Sequence, residues 1–303
     1  MMGIMDIQKL FKRFDAFQQK HRLLYFPLAV IKKFGEDQGG YLAALLTYYG
    51  FLALFPLLLV LVTILQLWFR GDPLFQNEVS SSVGHFFPLL GDQLQRQIHG
   101  PGKEGMGLVV GLAITAYGAR GVASAFRNAL DTIWCIPKEK RIGFPQNIIH
   151  DIAVLAIGLA GFAATVATSA FSAQLGHATW VKVLANIGGF GILTMVLAYM
   201  YHIATSGQLG KRSTMRGALI AGAAIQMLLT FGGIIMKREL QHLDSVYGTF
   251  AVVLGLLFWI YLLARVIVYA AEVNTVRHLR LYPRSTTGQL PARGDERLSN
   301  IKI

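Results

Sequence analysis

In the last long apolar run of the chain, Tyr261, Arg265, Tyr269 and Glu272 recur every three or four residues. On a helix that spacing places all four on one face. From Thr249 to Ala271 the only formally charged side chain is Arg265, so a cation and an anion share a stripe down an otherwise apolar rod. A charge in hydrocarbon is costly unless it faces protein or water. Such a stripe can guide a polar or anionic headgroup past apolar neighbours, or it can tie helices together. Arg265 reads in two ways. It either snorkels to the inner headgroups, or it pairs with Glu272 or with an anionic lipid phosphate. Tyr48 and Pro56, in the first apolar run, complete the candidate substrate path with Tyr261, Arg265 and Glu272.

The other residue types with chemical potential do not assemble. His85 and His99 lie far apart without neighbouring ligands. His150 and Asp151 are adjacent, and neighbours on a helix point about 100° apart, so they read as an interfacial cap rather than a metal pair. His202, beside tyrosines at the end of an apolar run, reads as an interfacial residue. Cys135 is the only cysteine, which excludes an internal disulfide and a cysteine-cluster metal site. The apolar runs contain no paired aspartates, His-Glu-x-x-His or serine elbow, and the chain has no nucleotide-binding motif. A non-enzyme without metal or cofactor is expected.

These residues must be positioned by membrane helices. Of the 303 residues 54% are hydrophobic and 15% charged, and the mean hydropathy is +0.49. Several runs reach the length of about 20 residues that spans a hydrocarbon layer. The expected fold is all-α: a polytopic membrane protein with six transmembrane helices at about 41–69, 106–126, 148–173, 180–203, 217–236 and 249–273. The second is uncharged only from Met106 to Ala119, about 21 Å at helical rise, and must continue past Arg120, which either snorkels or faces the bundle; a re-entrant segment is the rival reading. Ala156, Ala160, Ala164 and Thr168 mark a small-residue packing face on the third. The membrane domain covers 37–279, preceded by a basic amphipathic segment, 1–36, and followed by a polar basic tail, 280–303. Residues 1–36 lie on the inner membrane surface or pack on the cytoplasmic loops.

The net charge of +12 fits loops held against anionic inner-leaflet lipid better than it fits nucleic acid. With six spans, 21 Lys and Arg fall on the side of both termini and 6 on the other, with Arg265 between. The positive-inside rule therefore places both termini in the cytoplasm.

Tyr41-Leu-Ala-Ala-Leu-Leu-Thr-Tyr-Tyr-Gly-Phe-Leu-Ala-Leu-Phe-Pro56, Phe126-Arg-Asn-Ala-Leu-Asp-Thr-Ile-Trp134, and the closing Tyr247-Gly-Thr-Phe-Ala, Leu257-Phe-Trp-Ile-Tyr-Leu and Ala270-Ala-Glu272-Val-Asn274 carry a resemblance. Over roughly Gly35 to Leu279 the chain resembles the YihY/virulence factor BrkB family, once labelled ribonuclease BN. Ala270, Arg265 and Asp131 depart from the family's usual residues. The resemblance implies a six-span, multi-pass bacterial inner-membrane protein linked to envelope or serum-resistance phenotypes. Ribonuclease activity is disfavoured by the lack of a carboxylate or histidine cluster. The expected function is transporter-like, moving a lipid or other amphipathic or anionic envelope component. The alternative is a non-catalytic envelope scaffold, with homo-oligomers or envelope proteins as possible partners.

Overall fold

The computed structural model describes residues 17, 19, 21–68, 106–174, 179–206, 211–247, 250–285 and 292–302. Their elements are α1 (Arg22–Glu36), α2 (Gly39–Trp68), α3 (Met106–Ile133), a 3₁₀ turn (Lys138–Lys140), α4 (Gln146–Gln174), α5 (Thr179–Ala204), α6 (Lys211–Tyr247), α7 (Ala251–His278) and α8 (Arg293–Lys302). No strand occurs among the described residues. Windows long and apolar enough to cross a membrane lie at Asn186–Ala204, Thr214–Gly232 and Val253–His278, and shorter apolar stretches at Gly39–Leu54 and Gln146–Gly161. The loop over 70–104, between the first two expected spans, lies outside the described residues.

The six long helices close a ring. Each of α2 to α6 packs on the next, and α7 returns to α2. Cross-contacts of α3 with α5 and α7 fill the centre. Trp259, Tyr201, Leu130, Ile133 and Leu256 are fully buried there, and the Tyr201 hydroxyl donates to the Ile267 carbonyl at 2.8 Å. Outward-facing positions stay apolar, with Leu159, Leu184, Ile187, Met195, Met227 and Phe231 all exposed. An apolar exterior around an apolar centre is the arrangement that lipid permits and water penalises.

Close helix approach comes from glycine, though not where the alanine pattern on α4 suggests. Ala156 and Ala160 face outward. The packing side is Gly161, where a Cβ would stand 2.4 Å from the Val196 side chain. The four-residue spacing of the alanines specifies a common face, and only the placement of α5 decides whether that face is covered. On α3, Gly118 lets the backbone of Ala53 approach, since a Cβ would meet it at 3.0 Å.

Helix α3 runs unbroken through Arg120 to Ile133. It ends with Cys135 at φ 54°, Ile136 N–H donating to Asp131 O and Cys135 N–H to Thr132 O. The end of α7 repeats this closure at Arg280, φ 52°, with Leu281 N–H on Val276 O. In both, a left-handed residue folds the chain back so that orphan carbonyls regain donors.

The described parts of the basic segments gather at one end of the ring. Lys33 donates to the Ile133 carbonyl at 2.8 Å, Trp134 meets His278 edge-on at 5.4 Å, and Ser206 joins Asp131 and Ile142. The tail is not loose there. Leu281 and Leu298 pack with Ala29 and Val30 of α1, and Tyr282 stacks on Tyr25 at 5.5 Å. Asp295 accepts from Lys32 (2.9 Å), Arg284 (2.9 Å) and the Ser285 N–H (2.8 Å). Thus α1, α8 and residues 281–285 form a cap over that end.

Candidate functional site

The stripe on α7 is covered. Glu272 is completely buried beneath α1, and its ion-pair partner is Lys33, 3.6 Å from Oε2. Lys33 is also fully buried and bonds Asp37, one turn further along. Burial alone would pull the Lys33 ammonium down. The Glu272 and Asp37 carboxylates outweigh it, and the pKa ends above the ordinary 10.5. Neither Glu272 oxygen has a hydrogen-bond partner among the described residues. The attraction is therefore ionic rather than hydrogen-bonded.

Arg265 does not pair with Glu272. It is exposed, its guanidinium 5.7 Å from the ring centroids of both Phe34 and Tyr269. Those rings stack at 3.8 Å and 3°. Their faces attract the cation and hold it at the edge of the α1–α7 contact. Tyr261 is half-buried, its hydroxyl 3.8 Å from where a Cβ on Gly40 would stand. Residues of α1 thus meet Arg265, Tyr269 and Glu272 along one seam, while Tyr261 lies beside Gly40 at the start of α2. Tyr48 belongs elsewhere: it is exposed and sits edge-on against Tyr49, 5.2 Å away. Pro56 lies within α2, and its side chain is outside the described residues.

One further polar side chain of α7 crosslinks helices. Asn274 accepts from the Gly217 N–H at 2.7 Å and donates to the Thr214 carbonyl at 3.0 Å, tying α7 to the start of α6. A Cβ on Gly217 would stand 2.2 Å from the Ala270 carbonyl, so the contact needs glycine.

A second polar stripe, on α3, is open. Tyr117, Arg120, Ser124, Asn128 and Asp131 follow helical spacing and line a groove of about 500 Å³, walled by Leu45 and Tyr49 of α2 and by Ile142 and Asn147 beside the start of α4. Tyr117 and Arg120 are exposed. Arg127 and Arg141 also line it, so three guanidiniums share the groove with one carboxylate, Asp131.

Their charges are differently spent. Arg127 is paired with buried Asp151 (Nε to Oδ1 3.1 Å) and donates to the Ile142 carbonyl at 3.2 Å. Asp151, expected to cap an interface beside His150, is instead the counter-ion of a buried pair joining α3 to α4. His150 Nδ1 lies 3.2 Å from the Ile203 carbonyl. Both Asp131 oxygens accept from Ser206, at 2.8 Å from its N–H and 2.7 Å from its hydroxyl. Among the described residues Arg141 donates to neutral acceptors: Asn128 Oδ1 (2.7 Å), the Ile136 carbonyl (3.2 Å) and Thr132 Oγ1 (3.3 Å). Arg120 has no hydrogen bond or ion pair to any described residue.

The groove's signal was present in the sequence as the spacing of Tyr117, Arg120, Ser124 and Asn128. It was overlooked because Arg120 reads first as an interruption of a short apolar run. Among the described residues no three His, Cys, Asp or Glu side chains gather as a metal-binding group. The groove offers cationic donors, hydroxyl and amide groups and an apolar wall. Its chemistry suits recognition of an anion attached to something apolar.

Known proteins place the chain in a family. It is 26% identical over 241 residues to a UPF0761 membrane protein of Methylibium petroleiphilum, covering 76% of this chain and 57% of that relative. It is 22% identical over 275 residues to one of Alcanivorax borkumensis, covering 86% of this chain and 63% of that protein. A UPF0761 membrane protein of Alkalilimnicola ehrlichii is 26% identical over 264 residues, 82% of this chain and 57% of the relative. The chain therefore spans about three fifths of the length of these relatives. No solved structure matches it. The family description "Virulence factor BrkB" matches residues 30–295, and with the all-helical ring and its membrane-length apolar helices this establishes that the chain belongs to the virulence factor BrkB family of membrane proteins.

Proposed function

We propose that this protein is a six-span inner-membrane protein with both termini cytoplasmic, and that it moves an anionic amphiphile of the bacterial envelope. The observation that carries the reading is the groove on α3. It is a polar, cation-bearing groove on the face of a long helix, within a ring whose outward side chains include exposed Leu159, Leu184, Ile187, Met195, Met227 and Phe231. A headgroup travelling along a bundle needs such a surface while its tails remain in lipid. The gathering of the basic segments at one end supports the topology by the positive-inside rule. The role involves no bond-making step. With no nucleotide-binding motif, movement runs downhill, on an ion gradient, or through a partner protein.

The α7 stripe supports a second reading. Glu272, Lys33, Asn274 and the Arg265 aromatic stack all tie helices together, as in a scaffold for envelope partners or further copies of the chain. Reconstitution separates the two. Purified protein in vesicles should move labelled anionic phospholipid between leaflets faster than protein-free vesicles do, with or without a proton gradient. Leaflet exchange equal to that of empty vesicles under both conditions removes the transport reading and leaves the scaffold.

A further inference from the structure

The cationic groove on α3 has a composition specific enough to name the class of molecule it takes. Of its three guanidiniums, Arg127 is neutralised by Asp151, while Arg120 and Arg141 form no ion pair with any described residue. Asp131 is the one acid in the lining, and both its oxygens are occupied by Ser206. Ser206 is a neutral donor and leaves the Asp131 charge in place, so the lining's positive excess comes from Arg120 and Arg141 standing against this one carboxylate. A guanidinium is matched by a phosphate or carboxylate, whose oxygens accept its parallel N–H donors.

Three further features restrict the choice. Arg120 and Asn128, the residue that holds Arg141, are eight positions apart, about 12 Å along the helix. That is longer than a free phosphate needs. The wall formed by Leu45, Tyr49 and Ile142 is apolar, and exposed Tyr117 stands at the deep end. Finally, Asn147 lines the groove with a buried Oδ1 that has no hydrogen-bond partner among the described residues. A buried acceptor without a donor is costly, and a ligand hydroxyl would satisfy it.

We infer that this groove binds the phosphate headgroup of an acyl-bearing, hydroxylated anionic lipid of the phosphoglycerol type, with Arg120 as its charge anchor and Asn147 accepting from a headgroup hydroxyl. The inference rests on the reading that the chain handles an anionic amphiphile, and it names the amphiphile and its seat. Arg120 is a binding residue here, since it touches the ligand and holds no described residue of the fold. Arg141 shapes the cytoplasmic rim and keeps its charge available because its present partners are neutral.

The test is equilibrium binding of radiolabelled phosphatidylglycerol to the delipidated full chain in detergent, with phosphatidylcholine and inorganic phosphate as competitors. Arg120→Gln should weaken binding about tenfold, the value of one charge-assisted contact. Arg120→Lys should stay closer to the parent. Ser124→Glu, which places an anion in the groove one turn from Arg120 and within reach of its guanidinium, should weaken binding at least as much. Lys140→Gln, an equal charge change just outside the lining, should leave it unchanged. Phosphatidylcholine and inorganic phosphate should each compete poorly. Unchanged affinity in both Arg120→Gln and Ser124→Glu overturns the site. Equal loss in Lys140→Gln reduces it to diffuse surface charge, and displacement by inorganic phosphate at the lipid's own concentration assigns it to a free anion. Vesicle transport is read separately: binding without leaflet exchange removes the transport role and keeps the site. Exchange that persists in Arg120→Gln with unaltered binding removes the site and keeps the role.

Discussion

Helices α3 and α7 each carry a charged stripe with helical spacing, and the two stripes end in opposite situations. On α7, Glu272 is sealed under α1 and neutralised by Lys33, while Arg265 is drawn onto the Phe34 and Tyr269 rings. On α3, Arg127 is neutralised by Asp151, but Arg120 has no partner among the described residues and its groove opens outward. The difference lies in what covers each stripe. Helix α1 comes from more than 200 residues away in sequence and brings a lysine, an aspartate and an aromatic ring to α7. No described element does the same for the middle of α3. A stripe closed by a distant helix becomes a fastening, and one left open keeps its charge for a ligand.

This contrast can be broken most forcefully at Lys33. Lys33→Met leaves Glu272 and Asp37 buried together without their shared cation, and should destabilise the chain by about 3–5 kcal/mol. Thermal unfolding in detergent measures it. A loss no greater than that of a surface substitution would mean that the α7 stripe is not closed by this pair. Arg127→Met should cost nearly as much, about 3 kcal/mol, because Asp151 is stranded in a buried position. Adding Asp151→Leu to Arg127→Met should recover most of it, which a mere packing role for Arg127 would not allow.

Asn274→Ala removes two buried hydrogen bonds between α7 and α6, a loss of about 2 kcal/mol. Faster hydrogen exchange over Lys211–Gly217 is the local readout. A smaller effect is expected in the cap. Partial burial would raise the Asp295 carboxyl, but the bonds from Lys32, Ser285 and Arg284 outweigh it and hold it below the ordinary 3.8. Its folded pKa is lower than its unfolded one. The stabilisation is therefore complete above about pH 3.8 and fades as pH falls through the lowered folded value. Hydrogen exchange over Arg293–Lys302 should stay slow at pH 5, and Asp295→Asn should speed it already at neutral pH. Equal rates in the two proteins at neutral pH would show that Leu298 and its apolar neighbours hold α8 unaided.

The smallest expected effect sharpens the comparison most. Arg120→Met should change the unfolding midpoint by less than about 0.5 kcal/mol equivalent, since the residue holds no described partner. A loss as large as that of Arg127→Met would place Arg120 among the fastenings, and the two stripes would then be alike.

Much of the fold was legible because lipid imposes simple requirements. Long uncharged runs must be helices when backbone groups have no water to bond. Glu272 was legible as a residue that had to face protein. Its partner was not, because Lys33 reads as one more basic residue of an amphipathic segment. The docking of Leu281 and Leu298 was hidden for a similar reason: a basic, polar tail gives little periodic signal of burial. The alanine face of α4 shows the converse case, a clear pattern assigned to packing that the ring turns outward.

By itself, then, the sequence determined that this chain is a helical membrane protein of the virulence factor BrkB family, where its long helices lie, and which residues carry charge along them. These are properties of local composition and period, set by the helix and the lipid. Only the tertiary structure decided that Lys33 and not Arg265 answers Glu272, that Asp151 answers Arg127, and that Arg120 is left facing an open groove. The reason is geometric. Helical period specifies which residues share a face, whereas the partner of that face is specified by helices brought together from remote parts of the chain.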